Sequence, residues 1–152
     1  MSHDVAASPR SGLCPTRVTL GNGLTVLAKR TTKTPAVTMS LALRVGSICD
    51  ADRSPGECYL LSRVIDRGTA TRSAADIAEA LDARGTSLTA TVTRHLLTLA
   101  LTCLAEDFEA MLTLMGDIVM HPAVPAHELD VRKREVVTAI RQDLDNPAVQ
   151  AA

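Results

Sequence analysis

The chain has 152 residues, a net charge of −1, 46% hydrophobic and 22% charged residues. These are the size and composition of one globular domain rather than a disordered segment. The near-neutral charge gives no electrostatic reason to bind nucleic acid or an anionic membrane. With one Tyr, one Phe and no Trp, stacking platforms for single-stranded nucleic acid are missing and the core has to be aliphatic.

Residues 1–15 are polar, carry Pro9 and Pro15, and read as a flexible leader to a domain over residues 16–152. They contain neither the basic and apolar regions of a secretory signal nor the arginines of a transit peptide. No apolar run approaches the roughly 18–20 residues of a membrane helix, so the expected localisation is cytoplasmic. Arg17–Leu20 and Leu24–Leu27 flank Asn22-Gly23. That arrangement predicts a hairpin, with Asn and Gly supplying the positive φ of a type I′ turn. Residues 36–45 alternate as a third strand with Val37, Met39, Leu41 and Leu43 on one face.

Ser54-Pro55-Gly56-Glu57 predicts a capped helix start, with Ser54 as N-cap, Pro55 at the first position and Glu57 completing a capping box. This helix is expected to run to about Arg67 and to end on a left-handed Gly68. Ser73 and Asp76 predict a second boxed helix, with Ile77, Ala80 and Leu81 inward and Gly85 at its end. Residues 86–93 and 96–104 alternate as two antiparallel strands meeting near Arg94-His95, with Leu97, Leu99, Leu101 and Cys103 inside. A third helix is predicted over 105–120 with a buried stripe of Phe108, Met111, Leu112, Met115, Ile118 and Val119. A fourth runs from after Pro125 to about Leu144, ahead of Asn146-Pro147. The fold class is α+β, an antiparallel sheet with helices packed on one face.

The cysteines at 14, 49, 58 and 103 include no C-x-x-C pair and read as buried free thiols. His3, His95, His121 and His127 include no pair at metal-ligand spacing, and the Asp130–Glu135 run reads as a solvated helix face. Met111, Met115 and Met120 fall at helical spacing and read as core.

Several motifs occur in a fixed order along this chain: Leu20-Gly-Asn-Gly-Leu-Thr-Val-Leu27, Gly46-Ser-Ile-Cys-Asp50, Gly56 to Thr69, Ala83-Arg-Gly-Thr-Ser-Leu88, Asp117-Ile-Val-Met-His-Pro122 and Glu128 to Pro147. Together they resemble the pitrilysin/insulinase metallopeptidases, from about Arg17 to the C-terminus. Gly56 to Thr69 is similar to that family's zinc helix, H-x-x-E-H followed by Gly-Thr. The resemblance places Tyr59 and Arg63 where the family has its two zinc histidines, one helical turn apart. Ser62 stands where the family has the glutamate that activates the metal-bound water, and Ala139, on the long last helix, where it has the third ligand. A tyrosine oxygen and a serine hydroxyl are poor zinc ligands, an arginine repels a dication, and alanine has no donor atom.

The resemblance therefore implies no catalytic residue, no metal ligand and no cofactor here, although active family members carry zinc. It implies a family domain that continues beyond Ala152, and an exposed apolar surface calling for that continuation or for a partner. The expected function is that of a non-catalytic peptidase-like domain, binding peptide substrate or acting as structural partner of an active zinc peptidase subunit. The rival expectation is a zinc-dependent metalloendopeptidase whose metal site is non-standard or completed by a partner chain.

Overall fold

The computed structural model describes residues 15–31, 33–50 and 54–144. The leader up to Cys14, His3 and the Asn146-Pro147 breaker lie outside them. The chain divides into two compact units, Met1–Pro35 and Ala36–Ala152.

In the first unit, β1 (Thr16–Thr19) pairs antiparallel with β2 (Thr25–Ala28), Thr19 opposite Thr25. The hairpin is as expected, but its turn is not type I′. Only Gly23 has positive φ, +85°. The Gly23 N–H donates to the Leu20 carbonyl at 2.9 Å, the Leu20 N–H to the Leu24 carbonyl at 2.8 Å, and the Leu24 N–H to the Asn22 side-chain oxygen at 3.0 Å. Gly-Asn-Gly thus places its second glycine at the left-handed position of a longer loop and leaves Asn22 an acceptor.

The second unit is built on a three-stranded antiparallel sheet with strand order β3-β5-β4, comprising β3 (Ala36–Leu43), β4 (Leu88–Val92) and β5 (Leu97–Leu104). The last strand occupies the middle because its alternate side chains are the most apolar. Leu97, Leu99, Leu101 and Cys103 are all buried. They pair with Leu43, Leu41, Met39 and Val37 of β3 on one side, and Leu97, Leu99 and Leu101 with Val92, Ala90 and Leu88 of β4 on the other. The opposite face carries Thr38, Ser40, Ala42, Thr89, Thr91, Thr98, Ala100 and Thr102. On it the Thr38 and Thr102 hydroxyls meet at 2.9 Å. Period-two alternation decides which face is covered.

Among the described residues four helices complete the unit: α1 (Glu57–Val64), α2 (Ala74–Asp82), α3 (Phe108–Met120) and α4 (Ala126–Leu144). Ile65 after α1, Ile77 of α2 and Met111, Leu114, Met115 and Ile118 of α3 join the inner sheet face in one core. α2 starts with the predicted capping box. Ser73 Oγ accepts from the Asp76 N–H, and the Asp76 carboxylate accepts from the Ser73 N–H at 2.8 Å. It ends on Gly85 at φ +57°, where the Thr86 N–H reaches back to the Leu81 carbonyl and the Gly85 N–H to that of Asp82. No helix among the described residues is long and apolar enough to cross a membrane.

The sequence expectations for four side chains are corrected. Phe108, Leu112 and Met120 are exposed, and Leu114 takes a core position instead. α3 is apolar on more than one side, so periodicity alone does not pick its buried face. Cys49 is exposed, whereas Cys58 and Cys103 are buried free thiols. Two short 3₁₀ turns, Ser47–Cys49 and Ala105–Asp107, precede α1 and α3.

Leu99, fully buried at the centre of β5, tests this packing. Leu99→Ala is expected to lower the unfolding free energy by about 2–5 kcal/mol, read as a shift in the urea midpoint with an unchanged slope.

Candidate functional site

The helix carrying Tyr59, Ser62 and Arg63 is held at both ends by groups distant in sequence. Its N-terminus is not capped by Ser54. Gly56 is the N-cap residue, at φ +94°, and no side chain of the Ser54–Glu57 stretch caps it. Asp50 does so from upstream: the Gly56 N–H donates to its Oδ2 and the Cys58 N–H to its Oδ1, both at 2.8 Å. A carboxylate at a helix N-terminus satisfies orphan donors and complements the helix dipole. Hydrogen bonding to Cys58 is the main reason the Asp50 carboxyl lies below the usual range. The same contact, with burial added, pushes the Cys58 thiol up to about 11.

Asp50 is itself aimed by Gly46. The Ser47 N–H donates to the Thr93 carbonyl at 3.2 Å and the Ile48 N–H to the Arg94 carbonyl at 3.0 Å. A Cβ at Gly46 would sit 2.5 Å from the Arg94 carbonyl oxygen. Only glycine permits that approach, so the β4–β5 turn fixes the 3₁₀ turn that presents Asp50.

α1 stops at Val64 rather than Arg67, and Gly68 is not its left-handed cap. At φ +154°, Gly68 makes an isolated bridge with Ser73. Next to it Thr69, buried, donates from Oγ1 to Asp117 Oδ2 at 2.9 Å and accepts the N–H groups of Arg72 at 3.0 Å and Thr71 at 3.2 Å. Asp117, on α3, also accepts from the Thr71 hydroxyl and the Arg72 guanidinium, and its other oxygen lies 3.2 Å from His121 Nδ1. The Ala70 N–H donates to the His121 carbonyl and the Ala123 N–H to that of Gly68. The Thr69 hydroxyl, then His121 and Arg72, hold the Asp117 carboxyl below the usual carboxylate range against the opposing effect of burial.

Between these fixed ends, Tyr59 and Arg63 are exposed on one helical face. Ser62 is buried, and its hydroxyl donates to the Tyr59 carbonyl at 2.7 Å. Ala139 is exposed on α4, which packs against α1. The helices bearing all four positions therefore meet, as the resemblance requires. Their side chains offer one phenol, one hydroxyl already committed to its own helix, one cation and one methyl. This set does not fit zinc, whose sites are built from imidazole, thiolate and carboxylate. Among the described residues, no three His, Cys, Asp or Glu side chains cluster as metal ligands. On α4, Arg132 pairs with Glu135 at 2.6 Å and lies 3.9 Å from Glu128. Asp130, Lys133, Arg134 and Glu135 face solvent.

Residues 25–151 match the sequence model for Insulinase (Peptidase family M16). An uncharacterized zinc protease of Mycobacterium bovis is 28% identical over 141 residues, 93% of this chain and 32% of that protein. The alpha subunit of the mitochondrial-processing peptidase of Solanum tuberosum is 30% identical over 129 residues, 85% of this chain and 25% of its own. The crystal structure of a peptidase M16 inactive domain from Pseudomonas fluorescens superposes with a TM-score of 0.82 at 21% identity, covering 90% of this chain and 34% of that one. This chain spans about a third of the M. bovis protein and of the P. fluorescens chain.

Two measurements test the anchoring. The Asp117 carboxyl titrates lower in the folded chain than the roughly 3.9 of a free aspartate. Its stabilisation is therefore complete above that value and is lost as pH falls through the lowered folded one. The thermal midpoint is expected to drop steeply on acidification below about pH 4, and Asp117→Asn to lower it at neutral pH while flattening that acid limb. At the other end, iodoacetamide at mildly alkaline pH is expected to label Cys49 well before Cys58, as mapped by mass spectrometry. Asp50→Ala should narrow that gap by fraying the start of α1 and releasing the thiol.

Proposed function

The chain belongs to the insulinase (M16) peptidase family, and from that premise we propose that it is a non-catalytic member. Its role would be to bind peptide or to support an active zinc peptidase subunit. The observation that carries the reading is the contrast within one helix. Every group that positions α1 is present and engaged, while the four positions facing the family's metal hold Tyr59, Ser62, Arg63 and Ala139. Loss of one ligand leaves a weak site. Loss of all three together with the base removes both the metal and the water it would activate.

Names among the relatives support a partnered role. One is a subunit of a processing peptidase, and a structure of the same fold is described as an inactive domain. In this reading the domain contributes surface rather than chemistry: the exposed Tyr59 and Arg63 lie where an active domain would engage its substrate. Active zinc subunits of the family are the partners it would serve, with the cytoplasm as the proposed location.

Unfolded peptides labelled for both cleavage and anisotropy separate the two roles. The chain alone, with zinc added, is expected to leave the peptides intact. When an active family subunit is supplied, the chain should co-elute with it or raise its peptide affinity. Cleavage by the chain alone, abolished by a chelator, would overturn the proposal and favour a zinc endopeptidase with a non-standard site.

A further inference from the structure

We draw no further inference here: the strongest candidate, the cleft where the first turns of α2 and α4 converge beside Arg67, Arg72 and His127, carries nothing, because Asp66, Asp117 and Glu128 already lie against those side chains and what remains is helix N-termini with no second observation pointing to a ligand.

Discussion

The Asp117 carboxylate ties together the parts of this molecule that sequence keeps apart. It lies near the end of α3, yet two threonine hydroxyls and an arginine from the turn after α1 converge on it. Without that acceptor, the buried Thr69 hydroxyl would lose its strongest partner and the Arg72 guanidinium its counter-charge. Leaving a buried polar group unpaired costs more than the bond itself contributes. Asp117 thereby fixes the turn between α1 and α2 against α3. Asp50 plays the matching part at the start of α1. Gly46 places it, and backbone amides of the helix consume both of its oxygens.

These two carboxylates give the motifs of the chain a physical meaning. Gly46 to Asp50 is the cap of α1. The Gly68-Thr69 pair that follows the helix is one half of a clasp, and Asp117, two motifs further on, is the other. Gly85 closes α2 in the left-handed conformation that its carbonyls require. None of these positions performs chemistry in the metal site. They set the direction and height of one helix over one sheet. A chain can therefore keep them all while the positions that correspond to the family's metal ligands change. Ser62 makes the point at atomic scale: its hydroxyl turns back to its own helix at Tyr59 and is spent there.

The sequence made the architecture legible wherever the signal was local and repetitive. The alternation of β5 identified all four of its buried residues, and the Ser73–Asp76 box appears atom for atom in the structure. The start of α1 departs from the sequence expectation for a physical reason. Ser54-Pro55-Gly56-Glu57 satisfies every local rule for a capping box, but the cap comes from Asp50, and no nearest-neighbour pattern reports a side chain arriving from outside its window. Gly-Asn-Gly likewise admits two turn registers, and the choice between them rests on which glycine takes positive φ. In α3 the apolar residues outnumber the positions one face can hold, so periodicity points Phe108 and Leu112 inward where the structure buries Leu114 instead. The metal-facing positions were legible only through resemblance to a family, since Tyr, Ser, Arg and Ala form no pattern of their own.

In the proposed function this helix has kept its anchoring and lost its metal. Zinc titration by calorimetry, on the natural chain and on a Tyr59→His, Ser62→Glu, Arg63→His, Ala139→Glu variant, tests it most directly. No saturable zinc binding is expected of the natural chain and one zinc per chain of the variant, because the anchored helices already hold those positions in register. One chelator-sensitive zinc per natural chain would contradict it.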